Sequence, residues 1–225
     1  MSSIYVIENL NRSFRVGTET IHALKNINIS VSTGNLCLLC GKSGSGKTTL
    51  LNIMGTLDRP DKGKIYFNNK DITNISENEK DAIRRKKIGF VFQSVALMPM
   101  MSAYENVEYS LRISGSPVAE RKKRVEECLD MVGLAKRMHH MPNELSGGEQ
   151  QRVAIARSIV HKPEIIFADE PTAELDTGMG IHVIKLIKNI VKKENLTVVM
   201  TTHDSGLVKY ADTLYTMQDG EIINE

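Results

Sequence analysis

The residues with the clearest capacity for chemistry lie in a glycine-rich segment that follows a short apolar run. Residues 36–40 predict a buried strand, and residues 41–48 read G-K-S-G-S-G-K-T, which fits the phosphate-binding pattern G-x-x-x-x-G-K-[ST]. Its glycines let the backbone turn tightly and direct N–H groups at anionic oxygens. A helical pattern follows and adds the positive end of a helix dipole. We predict that this P-loop binds nucleotide phosphates, with Lys47 on the β- and γ-phosphates and the Thr48 hydroxyl available to Mg²⁺.

Two carboxylates and a histidine follow apolar strand patterns later in the chain. Residues 165–168 predict a strand that ends in Asp169 and Glu170, and residues 197–202 predict another that ends in His203. Successive strand residues point to opposite faces, so one carboxylate can hold Mg²⁺ while the other positions a water at the γ-phosphate. Strand ends of a parallel sheet share one ligand-binding edge, which favours a role for His203. No role is predicted for the other histidines, His22, His139, His140, His161 and His182.

A second anion site is indicated at the start of a predicted helix. Residues 145–150 read L-S-G-G-E-Q, and Ser146 with Glu149 three residues later forms a capping box. Gly147 and Gly148 remove side chains from the first turn, at positions where glycine lowers helix stability. A plain capped helix does not need this pair, so the sequence predicts a helix terminus with a bare backbone that binds phosphate.

Two further features each leave two interpretations open. Phe14, between predicted strands at 4–10 and 21–31, is either an aromatic cover on the core or a platform for a flat ligand ring. The segment 94–104, which follows Gln93, is apolar, rich in methionine and interrupted by proline. It is either a buried loop or an exposed, soft surface that receives a helix of a partner, because methionine adapts to irregular grooves.

Composition is that of an ordinary globular protein with one α/β domain. The chain has 225 residues, 41% hydrophobic and 25% charged, and its net charge of +2 implies no large polyanion as partner. No apolar run approaches the roughly 20 residues of a membrane span, and we expect no secretory signal. Cys37 and Cys40 lie in a strand pattern, which favours a core role over a redox pair, and three cysteines in all fit a reducing cytoplasm.

Taken in order, these motifs resemble those of the ATP-binding-cassette (ABC) ATPases. The P-loop, Gln93 after a strand, the L-S-G-G-E signature, the Asp169–Glu170 pair and His203 occur in the order typical of that family. The resemblance covers essentially the whole chain. The flanking segments 51–58, 88–93 and 150–157 are similar to the branch that includes macrolide exporters and lipoprotein-release ATPases.

The predicted fold is α/β. The element order and the resemblance together imply a P-loop NTPase core, in which a mixed sheet is accompanied by an antiparallel N-terminal β-subdomain and an inserted helical subdomain, as in the ABC-ATPase fold. We expect residues 1–225 to form a single nucleotide-binding domain. Residues 1–93 and 158–225 would be its ATP-binding core, and residues 94–157 its helical signature subdomain.

The resemblance also implies roles for individual residues. It implies that two protomers associate head to tail with two ATP molecules between them. Glu170 would act as general base, aided by His203, Lys47 and Gln93, while Thr48, Gln93 and Asp169 would hold Mg²⁺. Phe14 matches the position of an aromatic residue that stacks on adenine. The residues expected to contact ATP are Phe14, Gly41, Ser43, Gly44, Ser45, Gly46, Lys47, Thr48, Thr49, Ser146, Gly147, Gly148, Glu149 and Asp176.

The family further implies where the protein works. We expect the ATPase subunit of an exporter for a drug, peptide or lipid-like substrate, held on the cytoplasmic face of the cell membrane by an integral permease that docks near residues 93–104. An alternative is mechanotransmission, in which the same dimer drives an extracytoplasmic change in a membrane protein. A soluble ABC ATPase acting on nucleic acid or ribosomes is disfavoured, because there is one cassette and no heptad segment between P-loop and signature.

Two positions depart from the family pattern. Residues 94–96 read Ser-Val-Ala, where this branch usually has an aromatic residue and then Asn or His. Glu174 stands where a small or amide residue is usual, although Asp176 is present and should preserve the dimer contact. The additional carboxylate near the γ-phosphate predicts slower hydrolysis or altered communication between the two sites.

Overall fold

The computed structural model describes residues 3–224. The strands are β1 (Ser3–Val16), β2 (Glu19–Ser32), β3 (Leu36–Cys40), β4 (Lys62–Phe67), β5 (Lys70–Asp71), β6 (Ile88–Val91), β7 (Ile165–Ala168), β8 (Thr197–Thr202), β9 (Thr213–Gln218) and β10 (Glu221–Asn224). The helices are α1 (Lys47–Met54), α2 (Glu77–Lys87), α3 (Ala103–Ser114), α4 (Val118–Met131), α5 (Gly147–Ile159) and α6 (Thr177–Glu194). Short 3-10 helices occupy Ala135–Arg137, Pro142–Glu144 and Ser205–Tyr210.

The strands form two sheets. The central sheet has the order β10-β9-β3-β8-β7-β6, and its pairs are parallel except for β10 with β9. The other sheet is antiparallel, with the order β2-β1-β4-β5. The predicted α/β class, with a mixed sheet and an antiparallel N-terminal subdomain, is therefore confirmed.

The inner strands β3, β7 and β8 are buried on both faces of the central sheet, and their side-chain alternation separates two cores. In β3, Leu36 and Leu38 face a cluster built with α3 to α6, whereas Cys37 and Leu39 face a cluster built with α1 and the antiparallel sheet. Because side chains alternate along a strand, a continuous apolar run serves both cores at once. This arrangement holds the segments after β3, β7 and β8 in fixed positions.

The first hairpin is longer than its sequence pattern suggests. The prediction that the strands end at residue 10 and begin again at residue 21 is wrong, since β1 continues to Val16 and β2 begins at Glu19. Phe14 therefore lies within β1, paired with Ile21. The arm beyond residue 13 is exposed on both faces, so the alternation of apolar residues that marks a half-buried strand is missing there.

Between β6 and β7 the described chain is helical. Two helices of this region begin with capping boxes, from Ser102 with Glu105 in α3 and from Ser146 with Glu149 in α5. The two hydrogen bonds of each box satisfy N–H groups that a helix start leaves unpaired. Helix α5 extends through the expected domain boundary at 157/158 and ends at Ile159.

The cysteine pair lies in the core strand. Cys37 and Cys40 are three residues apart on β3, so their side chains point to opposite faces of the sheet. Both are free thiols, and burial raises the pKa of Cys37 to about 12. A thiol with such a pKa is protonated and unreactive at neutral pH, which agrees with a core role.

Gly89 allows α5 to pack closely on β6, and its replacement tests this contact. A Cβ atom at Gly89 would lie 2.3 Å from the carbonyl oxygen of Ser158 and 3.0 Å from Cγ1 of Ile166. We expect Gly89→Ala to lower the free energy of unfolding by about 2 kcal/mol or more, because the backbone of α5 has to move. Urea denaturation measures the change.

Gly180→Ala is the matched control for this substitution. The nearest atom to its Cβ would be Thr172 Cβ at 3.6 Å, an ordinary van der Waals contact, and alanine is the better helix former. This variant should be neutral or slightly more stable than the parent. Equal stability of the Gly89→Ala protein and the parent would contradict the proposed packing constraint.

Candidate nucleotide-binding and catalytic site

Three adjacent strands bring the predicted catalytic segments to one edge of the central sheet. Strand β8 lies between β3 and β7, and all three are parallel, with Cys40 opposite Thr202 and Ala168 opposite Met200. The chain therefore leaves β3, β7 and β8 at the same edge. The P-loop, the Asp169–Glu170 pair and His203 follow directly, as the sequence predicted from the rule for parallel sheets.

The P-loop has the backbone that its glycines permit. Gly46 precedes α1 with φ +102°, and a Cβ there would lie 2.6 Å from the carbonyl oxygen of Ala23. Gly44 has φ +79° and no heavy atom within 4 Å of its Cβ position. A side chain at residue 44 would therefore enter the space above the loop, and glycine leaves that space free for a ligand.

The Lys47 ammonium lies between the P-loop and Glu170. Its Nζ donates hydrogen bonds to the carbonyl oxygens of Gly41 at 2.8 Å and Lys42 at 3.0 Å. It also lies 3.4 Å from Glu170 Oε1, and only 4% of the side chain is exposed. A charge at this depth is less screened than one at the surface, so it would interact strongly with the phosphate oxygens of a bound ligand.

The two carboxylates after β7 have different partners, and Thr201 of β8 connects them. The Thr201 hydroxyl donates to Asp169 Oδ1 at 2.6 Å and accepts from the Glu170 N–H at 2.8 Å. Asp169 Oδ1 also accepts from the Thr48 hydroxyl at 3.1 Å. Glu170 itself has φ +41°, a left-handed conformation that is costly for a residue with a side chain and that clusters at functional sites.

The Glu170 carboxylate is held at both oxygens. Oε1 faces Lys47, and Oε2 accepts a hydrogen bond of 2.8 Å from Nδ1 of His203. Because a carboxylate only accepts, this contact assigns the imidazole proton to Nδ1. The imidazole is otherwise exposed, so its Nε2 edge remains accessible to a ligand.

A cavity of about 880 Å³ opens over the P-loop, within the size range of small-molecule sites. Nine of the predicted site residues line it: Ser43, Gly44, Gly46, Lys47, Thr48, Thr49, Gln93, Glu170 and His203. Gly41 and Asp169 touch this set through their hydrogen bonds to Lys47 and Thr48. Ser45 is buried and does not line the cavity, and its hydroxyl has no hydrogen-bond partner within residues 3–224.

The remaining wall of the cavity was not found from the sequence. Apart from Lys42, which belongs to the P-loop itself, it comes from segments distant in the chain, namely Ile21, His22, Ala23, Lys25, Asp219 and Gly220. Backbone hydrogen bonds from Lys25 to Gly220 and from Gly220 to Ser45 bring these segments together. No local motif marks such a wall. Thr201, which bonds Asp169, was also missed, although a polar residue at the end of an apolar strand is a usable signal.

Several predicted ATP contacts lie outside this cavity. Phe14 stands on the exposed arm of the first hairpin, and Asp176 caps α6 and lines a second cavity of about 370 Å³ that Glu170 and His203 also border. The signature residues Ser146, Gly147, Gly148 and Glu149 form the first turn of α5 and line neither cavity.

The donor set around Thr48 suits Mg²⁺. Thr48 and Asp169 place a hydroxyl and a carboxylate oxygen 3.1 Å apart, and the amide of Gln93 lines the same cavity. These are hard oxygen donors of the type Mg²⁺ prefers, together with phosphate oxygens. No cluster of three or more His, Cys, Asp or Glu side chains suited to a metal occurs in the described chain.

Hydrogen bonds from side chains of α3 and α5 hold the loop after Gln93 in place. The buried Asn106 donates from Nδ2 to the carbonyl oxygens of Met98, Met101 and Ser102 and accepts from the Met98 N–H. Arg157 of α5 donates to the carbonyl oxygens of Val95 and Ala96. The tip is open, with Met100 87% exposed, so the loop is neither fully buried nor loose.

Comparison with known proteins agrees with this geometry. The family model for ABC transporters matches residues 24–173. The chain is 42% identical over 226 residues to an uncharacterized ABC transporter ATP-binding protein, MJ0796, of Methanocaldococcus jannaschii, covering 97% of this chain and 95% of that protein. The chain belongs to the ABC transporter family.

This ABC ATPase is also similar to a macrolide-export protein and to two solved structures. It is 40% identical to the macrolide export ATP-binding/permease protein MacB of Bartonella henselae, over 98% of this chain and 33% of that longer protein. The dimeric post-hydrolysis structure of the MJ0796 cassette with ADP and Pi superposes with a TM-score of 0.89 at 41% identity, over 98% and 97% of the two chains. The structure of CbiO1 from Clostridium perfringens superposes with a TM-score of 0.90 at 32% identity, over 100% of this chain and 88% of that chain. The predicted resemblance, the fold and the ATP hydrolase activity are confirmed.

The Thr201 hydroxyl gives a direct test of how this ABC site is positioned. We expect Thr201→Val to reduce kcat for ATP hydrolysis by about 10- to 100-fold, because Asp169 and the Glu170 N–H each lose a partner. Steady-state phosphate release measures kcat, and thermal unfolding confirms that the variant is folded. Thr201→Ser, which retains the hydroxyl, should remain within a few-fold of the parent. An unchanged kcat in the valine variant would show that this link is not needed.

Proposed function

We propose that this ABC protein is the ATPase subunit of a membrane transporter and that two copies bind MgATP head to tail. The position of the signature carries the proposal. Ser146 and Gly147 are exposed at the start of α5, and a Cβ on Gly147 would meet no atom within 4 Å. A helix terminus with exposed N–H groups is an anion site, yet no residue of it lines the P-loop cavity of its own protomer.

A second copy supplies what one protomer lacks. In the proposed dimer, Lys47, Thr48 and the P-loop amides hold the phosphates of ATP, and Ser146, Gly147 and Gly148 of the other copy cover the γ-phosphate. Asp176, at the edge of the second cavity, would contribute to the contact between copies. The dimeric structure of MJ0796 supports this arrangement, because that relative matches the present chain over nearly its whole length.

Hydrolysis would follow from the contacts of Glu170. Its carboxylate accepts a proton from a water as the water oxygen attacks the γ-phosphorus, and the bond from that phosphorus to the β–γ bridging oxygen breaks to release ADP and phosphate. Lys47 and the P-loop amides stabilise the charge that develops on the phosphate oxygens. His203 orients the Glu170 carboxylate through their hydrogen bond.

Thr48, Asp169 and Gln93 would hold Mg²⁺ in this site. Bound there, Mg²⁺ neutralises phosphate charge and lowers the barrier to phosphoryl transfer. The Thr48–Asp169 contact already places two of its donors together. Gln93 belongs to the anchored loop that carries the exposed Met100, so the same segment that borders the nucleotide cavity also reaches the outer surface.

We propose that residues 93–104 receive a helix of an integral permease. No helix in the described part of the chain has the length and apolar character to cross a bilayer. Phe92, directly before this segment, and Met100 within it expose apolar surface, and Asn106 and Arg157 fix the shape of the loop. Residues 94–157 would then act as the helical subdomain between the ATP-binding core and the permease. The match to macrolide-export proteins supports export at the cytoplasmic face of the cell membrane.

Glu170→Gln tests the proposed function most sharply. The amide cannot accept the proton from water, so turnover should fall by about 10²- to 10⁴-fold, while ATP binding persists. ATP should then hold the variant as a dimer of about 50 kDa, twice the 25.1 kDa chain. Light scattering after size exclusion measures the mass with ATP, with ADP and without nucleotide.

Glu164→Gln is the control, because Glu164 precedes β7 at the opposite end of the strand. It should hydrolyse ATP like the parent and form no trapped dimer. Turnover near the parental rate in Glu170→Gln would refute the assigned base. A monomer at saturating ATP would refute the composite site.

Glu174 provides a separate test of the loop that follows the catalytic glutamate. The residue is exposed between Ala173 and Leu175, which line the second cavity. We expect Glu174→Asn to raise ATP turnover by up to about fivefold, since it removes a partly screened negative charge near the γ-phosphate. The gain should shrink at high salt. If turnover and its cooperativity are unchanged, Glu174 has no such effect.

A further inference from the structure

We propose that Arg12 is a positioning residue that fixes the ring of Phe14 as the platform for the base of ATP. The inference rests on the role in nucleotide binding that we expect for Phe14. It explains how an exposed aromatic ring is held in one position. Three observations carry it: the carboxylates that hold Arg12, the stacking of its guanidinium on the ring, and the lack of other support for the hairpin arm.

The guanidinium of Arg12 is held by two carboxylates. Nε and Nη2 donate to Asp58 Oδ2 and Oδ1 at 3.0 and 2.9 Å, and Nη1 donates to Asp61 Oδ1 at 2.8 Å. The paired contact with Asp58 is the planar, bidentate geometry that arginine alone provides. With both carboxylates bound, the positive charge is balanced, so Arg12 is not a candidate for a phosphate ligand.

The same guanidinium covers one face of the Phe14 ring. Its central carbon lies 4.6 Å from the ring centroid, which is within the range of a cation–π contact. Phe14 remains 38% exposed, so the ring still presents surface to solvent. An arginine clamped on one face limits the rotation of the ring and leaves the other face for stacking with a flat base.

The hairpin arm has little other support. Strand β1 pairs with β4 from Tyr5 to Asn11, and beyond that point its ladder continues with β2 alone. Residues 14–22 are all exposed, and a two-stranded ribbon without a packed face is only marginally stable. The contacts of Arg12 with Asp58 and Asp61, named here the Arg12 clamp, lie where the arm leaves the sheet. At this point they can fix the position of Phe14, two residues farther along the strand.

The Arg12 clamp also connects the arm to the segment after α1 and to the wall of the nucleotide cavity. Asp58 follows the phosphate-binding helix α1, and its N–H bonds to the Asn52 carbonyl oxygen at 3.3 Å. Asp61 accepts from the Ser13 N–H at 2.6 Å, and the Ser13 hydroxyl lies 2.9 Å from Nδ1 of His22, a residue of the cavity wall. Desolvation opposes ionisation of Asp61, but the bonds from Arg12 and Ser13 outweigh it and lower its pKa.

Nucleotide kinetics with Arg12→Met test the proposal on the full-length chain. We expect KM for ATP to rise about three- to tenfold with kcat within twofold, because base stacking is weakened while the phosphate and catalytic groups are unchanged. Inorganic triphosphate has no base, so its inhibition constant should be the same as in the parent. Arg15→Met, an exposed arginine on the same arm, is the matched control and should keep the parental KM.

A conservative variant and a double variant complete the test. Arg12→Lys retains charge but not the bidentate contact, so it should recover only part of the affinity. Arg12→Met combined with Phe14→Ala should be no weaker than Phe14→Ala alone, since both changes act through one platform.

The outcomes separate this inference from the proposal on which it rests. If Phe14→Ala leaves the KM for ATP unchanged, the role of Phe14 in nucleotide binding fails. If Phe14→Ala raises KM but Arg12→Met does not, only the positioning role of Arg12 fails. Weaker inhibition by triphosphate in Arg12→Met would mean that the residue acts on the P-loop instead. Tighter ATP binding would mean that the guanidinium occupies the face that the base needs. Either result overturns the inference.

Discussion

Parallel pairing of β3, β8 and β7 determines where the chemistry of this ABC ATPase takes place. The pairing aligns the three strand ends, so the P-loop, the carboxylate pair and His203 leave the sheet together. Thr201 then bonds both Asp169 and the Glu170 amide, which keeps Glu170 in a left-handed conformation that is unfavourable in isolation. The Glu170 carboxylate consequently lies between Lys47 and His203.

The same sheet explains why sequence reasoning reached one part of the site and not the other. P-loop glycines, strand-end carboxylates and the terminal histidine are local patterns, and the parallel-sheet rule alone brings them together. The wall made by β2 and the Asp219–Gly220 turn depends on a tertiary contact from Gly220 to Ser45, for which no local spacing exists. His22 received no predicted role for that reason, although it borders the cavity.

Strand lengths show a second limit of the sequence. The central strands were recognised because both of their faces are buried and their apolar runs are continuous. The arm of β1 and β2 has solvent on both faces, so its residues carry no alternation that distinguishes strand from loop. Its position instead follows from a few polar contacts, centred on Arg12 and its two aspartates.

The central claim is that the site becomes complete only with a second copy, and amide hydrogen exchange at the signature tests it most directly. Gly147 and Gly148 begin α5, where N–H groups lack intrahelical partners and should exchange quickly in the monomer. With Glu170→Gln and saturating ATP, the account predicts that residues 145–149 become protected as protein concentration rises, while P-loop protection follows ATP alone. Signature amides that stay unprotected, or whose protection is independent of protein concentration, would contradict it.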